Sequence, residues 1–184
     1  MQGFVRWVRP CALIAGLAAE LAGGSAWSQE SFASLLLKDS LSFTLPKGFS
    51  PVPVVSNGDV HYQYAMKAPG VKAEIRYAIF PSSPNEQFAA SFLETICLNL
   101  SGGKTCDFRR FPQPAVKREF GADGGLTSIT KLDSEFGKGY ASCMVNLIHK
   151  NRVADVYILI LFDDVKVLQS LVLQDPVFHA LRFK

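Results

Sequence analysis

Near the C-terminus, the seven residues VYILILF (156–162) place apolar side chains on both faces of any strand they form. Successive side chains of a strand point to opposite sides of the sheet. A run without polar alternation must therefore be covered above and below, so the segment predicts a central strand layered with helices on both sides. Hydrophobic residues make up 48% of the chain and charged residues 19%, which excludes disorder and supplies such a core.

The neighbours of that strand follow along the chain. LSFTLP (41–46) alternates and ends at the turn signal Pro46-Lys47-Gly48. VHYQYAMK (60–67) and KAEIRYAIF (72–80) flank Ala68-Pro69-Gly70-Val71 as a hairpin. CDFRRF (106–111), AVKREFGADGGLTSITKL (115–132), GYASCMVNLIHK (139–150) and VADVYILILFDD (153–164) read as further strands, with Asp123-Gly124-Gly125 as a hairpin turn. The clearest helix begins at Ser83-Pro84-Asn85-Glu86, read as a capping box with Ser83 at the N-cap and Glu86 at N3. Phe88, Phe92 and Ile96, beside Ala89 and Leu93, supply its apolar face, and Gly102-Gly103 let the chain leave it. Asp163-Asp164 caps a C-terminal helix with Val165, Leu168, Leu171 and Val172, and a short turn at Asp175-Pro176 packs Phe178 and Leu181. The expected class is α+β, an antiparallel sheet with helices on both faces, an α/β/α sandwich.

The N-terminus carries Arg6 and Arg9 without an acid, then the apolar run CALIAGLAA, then small residues up to Ala26 and Ser28. This is the pattern of a secretory signal cleaved between Ser28 and Gln29, and the apolar run is too short to span a bilayer. The expected organisation is a signal at 1–28 and one α+β domain at 29–184, exported to the periplasm or beyond and without a stable membrane span. Export leaves Cys97, Cys106 and Cys143 in an oxidising compartment. Cys97 and Cys106 enclose eight residues with two glycines and are the expected disulfide, with Cys143 a buried thiol; pairing of Cys143 with either partner stays open.

The opening FTLPKGF, the hairpin YQYAMKAPGVKAEIRYAIFP, the capped helix, the strand series and the closing helix resemble the PsbP-like α/β/α sandwich over most of residues 35–184. That fold is shared by extrinsic proteins of the photosynthetic oxygen-evolving complex and by a Ran-binding nuclear-import factor. The resemblance implies a non-catalytic accessory or binding domain that works through its surfaces, and it transfers no functional residue.

Chemistry-bearing motifs are sparse. Gly103-Lys104-Thr105 ends like a phosphate-binding loop, but the first glycine of that motif falls on Leu98. No Cys-x-x-Cys or His-x₃₋₅-His spacing offers a zinc site, and Asp123, Asp133 and Glu135 lack calcium-loop spacing, so neither metal nor cofactor is expected. His149 ends one strand and Asp155 begins the next, so a hairpin brings them together; a hydrolase would need a nucleophile as well, and no G-x-S-x-G elbow exists. Lys104, Arg109, Arg110, Lys117 and Arg118 form the candidate binding patch, although alternation sends Arg109 and Arg110 to opposite faces. A net charge of +3 argues against a dedicated nucleic-acid binder. Asn99-Leu100-Ser101 is a glycosylation sequon. The leading reading is an exported accessory or binding domain whose partner is another protein or a small ligand of the cell envelope. Its rivals are an apolar-ligand carrier enclosed by the Phe88–Phe92 helix and a hydrolase built on His149 and Asp155.

Overall fold

The computed structural model describes residues 31–55, 58, 60–137 (at 135 the backbone alone) and 139–184; the expected signal at 1–28 lies outside them. In chain order the elements are α1 (Phe32–Lys38), β1 (Leu41–Phe43), β2 (Ser50–Val52), β3 (Tyr64–Lys67), β4 (Ala73–Pro81), α2 (Glu86–Leu100), β5 (Arg109–Arg110), α3 (Gln113–Phe120), β6 (Gly124–Lys131), α4 (Ser134–Gly137), β7 (Ser142–Lys150), β8 (Ala154–Phe162), α5 (Val165–Val172), α6 (Asp175–Phe178) and β9 (Leu181–Phe183). Seven strands form one antiparallel sheet in the order β2-β3-β4-β8-β7-β6-β5. β8, which contains VYILILF, is its middle strand, and all nine of its residues are buried.

Alternation along β8 divides the core in two. Val156, Ile158, Ile160 and Phe162 join a cluster with α1, α3, α5, α6 and the small β1–β9 ribbon. Tyr157, Leu159 and Leu161 join Ala89, Leu93, Ile96 and Leu100 of α2 on the opposite face. The fold is thus the α/β/α sandwich expected from the sequence.

Three local readings differ. Residues 113–120 form helix α3 rather than strand. Pro112 and Pro114 favour a helix start, Val116 and Phe120 bury one stripe at i, i+4, and Gly121 ends it. Asp123-Gly124-Gly125 leads into β6 instead of forming a hairpin turn, because the preceding residues are helical and leave no strand to pair. α2 is capped by Asn85, whose side chain accepts a hydrogen bond from the Phe88 N–H at 3.1 Å. Ser83 is not its cap, since both its N–H and its hydroxyl are donated to Asp155. At α5 the expected capping holds: Asp164 accepts from the Lys166 N–H at 2.8 Å.

Cys97 and Cys106 are disulfide-bonded with Cα atoms 6.3 Å apart, and Cys143 is free and buried in β7. Burial pushes the Cys143 thiol up to about 12.

Candidate functional site

The β7–β8 hairpin brings His149 and Asp155 together beneath the start of α2. His149 Nδ1 lies 2.5 Å from Asp155 Oδ1, and each side chain is only 1% exposed. Asp155 Oδ2 accepts from the Ser83 N–H at 2.9 Å and from the Ser83 hydroxyl at 2.5 Å. On the far side of the ring, Nε2 lies 3.1 Å from Asn151 Oδ1. The orientation of that amide is set by Asp123, whose Oδ2 accepts from both the Asn151 backbone N–H and its Nδ2, each at 3.0 Å. Both ring nitrogens therefore face side-chain oxygens, so each is taken up by a partner within the protein.

This arrangement lacks the geometry of a hydrolase. Ser83 donates to the carboxylate rather than to the histidine, and both imidazole nitrogens face other side chains, Asp155 and Asn151, instead of a nucleophile. The network instead ties three chain segments together: the approach to α2, the β7–β8 turn and the segment leading into β6.

A cleft of about 160 Å³ adjoins the Asp123 end, lined by Glu86, Arg110, Phe111, Asp123, Gly124 and Gly125. The two glycines are there for close approach. A Cβ on Gly124 would lie 2.6 Å from the Glu86 carboxylate, and one on Gly125 would lie 2.9 Å from both the Leu147 carbonyl oxygen and the Phe111 ring. Glu86 pairs with Arg110, and Asp123 is committed to Asn151. Ligand pockets commonly span about 300–1,000 Å³ and are mostly apolar. The cleft is smaller, and its lining is about evenly polar and apolar.

The basic candidates are dispersed. Arg110 faces α2 and pairs with Glu86, whereas Arg109, beside Thr127, points to the other side of the sheet. Arg118 pairs with Glu119, and Lys104 and Lys117 are exposed. They do not form one stripe. His179 links α6 to α3 through Asp175 (2.8 Å) and Glu119 (3.4 Å), and His61 is exposed.

The apolar face of α2 also differs from expectation. Ala89, Leu93, Ile96, Cys97 and Leu100 are buried, while Phe88 is 61% and Phe92 41% exposed. A helix on one face of a sheet presents only one stripe inward, and the smaller side chains occupy it. Phe92 makes edge-on contacts with Phe80 (5.2 Å) and Tyr157 (5.3 Å), which holds an aromatic ridge on the surface. The enclosed apolar pocket that a carrier needs is not formed by these two phenylalanines.

One cluster was missed from the sequence. On the α2-bearing face, Glu74 Oε2 pairs with Lys67 Nζ at 2.8 Å and Oε1 with Arg76 Nε at 2.6 Å. The Arg76 guanidinium lies 4.9 Å from the Tyr62 ring centre and 5.4 Å from that of Phe136, with Lys67 over Tyr140 at 5.5 Å. Burial opposes ionisation of Glu74, but hydrogen bonds from Lys67 and Arg76 outweigh it and hold the carboxyl below its ordinary value. The signal was the pair of charges at 74 and 76, alternating within the otherwise apolar AEIRYAIF.

No protein-family profile matches the chain, and no curated protein matches it in sequence. Its layout is similar to the solution structure of cyanobacterial PsbP (CyanoP) from Synechocystis sp. PCC 6803, with 12% identity, a TM-score of 0.47, and coverage of 80% of this chain and 88% of that one.

Proposed function

We propose that this chain is an exported, non-catalytic binding domain that docks another protein of the cell envelope on the outer side of α2, around Phe88 and Phe92. The observation that carries the reading is the exposure of these two aromatic side chains, one turn apart on a helix whose inner face is already filled. Exposed aromatics beside an arginine are the side chains that most often anchor protein interfaces, and Arg110 lies at the N-terminal end of the same helix. The saturated His149–Asp155 network supports a non-catalytic role. The Cys97–Cys106 disulfide and the sequence of residues 1–28 support export, since such bonds persist in oxidising compartments. Among the described residues no helix is long and apolar enough to cross a membrane.

The test is crosslinking in the source cells, comparing the natural chain with Phe88→Ser and Phe92→Ser variants. A partner captured by the natural chain and lost with either variant, at unchanged folding, supports the reading. The same set of partners captured by all three refutes the surface. Intact mass that retains Met1 in protein purified from its own cells refutes export.

A further inference from the structure

We propose that the cleft at the N-terminal end of α2 binds a small organic ammonium ion between Glu86 and Asp123. The fold fixes two acceptors there and leaves them unused. Glu86 Oε1 pairs with Arg110, and Asp123 Oδ2 accepts from the Asn151 backbone N–H and Nδ2, each at 3.0 Å. Each carboxylate is thus positioned through one oxygen. Glu86 Oε2 and Asp123 Oδ1 have no partner among the described residues, and both side chains line the same space of about 160 Å³. The approach of β6 to Glu86 depends on Gly124, where a Cβ would lie 2.6 Å from the carboxylate.

The lining carries two carboxylates and one guanidinium, so it keeps one negative charge, and Glu86 is only 26% exposed. The His149–Asp155 pair behind Asn151 adds no net positive charge, whether or not the histidine is protonated. A cation in the cleft therefore gains from the charge, and one with N–H donors also satisfies the two free oxygens. A primary ammonium has three such donors. The rest of the lining decides between a metal ion and an organic one. About half of it is apolar, the Phe111 ring and the glycine backbone included. An aromatic face suits an organic ammonium, whereas Ca²⁺ or Mg²⁺ takes its shell from oxygens alone. A cavity of about 150 Å³ takes one benzene ring, so the body of the ligand is limited to about that size.

The experiment is an NMR titration of the isotope-labelled protein with benzylammonium, its neutral counterpart benzyl alcohol, benzoate and Ca²⁺. Benzylammonium should bind saturably, with a dissociation constant of about 1 mM. Its largest shifts should fall at the Gly124 and Gly125 amides and the Phe111 ring. The alcohol and benzoate should bind at least about fivefold more weakly, the factor that one charge at contact distance supplies even in water. Asp123→Asn keeps an oxygen for Asn151 and should weaken benzylammonium about fivefold. Arg110→Gln, at a largely exposed position with little risk to folding, removes the competing cation and should tighten it by a similar factor. The proposal is overturned by the absence of saturable benzylammonium binding, by shifts confined to other regions, by benzyl alcohol or Ca²⁺ binding as tightly, or by a folded Arg110→Gln protein with weakened binding. Nα-acetyl-lysine amide binding more tightly than benzylammonium overturns the small-molecule source in favour of a partner's lysine.

Discussion

The buried His149–Asp155 pair makes a quantitative claim about stability. Asp155→Ala removes the acceptor for the Ser83 N–H (2.9 Å), the Ser83 hydroxyl (2.5 Å) and His149 Nδ1 (2.5 Å) at a site that is 1% exposed. It strands three buried partners at once, and leaving buried polar groups unsatisfied costs about 1–3 kcal/mol each, so a loss of about 3–5 kcal/mol is expected. Asp155→Asn is a different perturbation. Its remaining oxygen still serves Ser83, and its amide can donate to a neutral His149 that keeps its Nε2 hydrogen bond to Asn151. The loss there should be about 1–2 kcal/mol, the cost of exchanging charged for neutral hydrogen bonds. Urea unfolding followed by circular dichroism separates the two. With a slope of about 2 kcal/mol/M, the alanine variant should lose about 2 M in midpoint and the asparagine variant less than 1 M. Equal losses, or an alanine variant within about 1 kcal/mol of the natural protein, would refute the structural role assigned to this pair.

Three further outcomes are expected. Replacing both Cys97 and Cys106 by serine should lower stability by about 2–3 kcal/mol, read by the same unfolding assay, while capture through the α2 ridge is kept. Gly125→Ala should cost about 1–3 kcal/mol because its Cβ meets the Leu147 carbonyl at 2.9 Å, whereas Gly124→Ala should cost less, since the Glu86 side chain it meets can swing away; thermal melts rank the two. The folded state holds the Cys143 thiol protonated to about 12 while the unfolded chain releases its proton near 9.0, so stability should fall as pH rises through that window. Cys143→Ala should flatten that alkaline decline.

The strands of the sheet's core were legible because their patterns report burial directly: β8 is apolar at every position, and that property placed it in the middle. The disulfide was legible from spacing and compartment. α3 was not, because Val116 and Phe120 are only two apolar positions among charged ones, and the following Gly-Ala-Asp-Gly-Gly resembles a turn. Phe88 and Phe92 were misplaced for a related reason. On α2 both Phe88–Phe92 and Ala89–Leu93 have helical spacing, and side-chain size alone does not say which stripe the sheet accepts. The Lys67–Glu74–Arg76 cluster depends on the β3–β4 register, which pairs Ala65 with Arg76 and is not readable from either strand alone. For the same reason the pairing of His149 with Asp155 was readable, since both lie on one short hairpin.

The position of β8 also sets an order of events during synthesis. Its partner β4 ends at Pro81, and the strand that completes the sheet begins only at Ala154. The ribbon that closes the opposite layer waits longer still, joining Leu41 to Phe183. A growing chain that stops short of residue 154 has a left half and a right half with nothing between them. Such long-range closure is slow, and the central pairings of the sheet can form only once residues 154–162 have been made. Under the proposed export, the late arrival of the middle strand would act as a built-in delay between synthesis and folding.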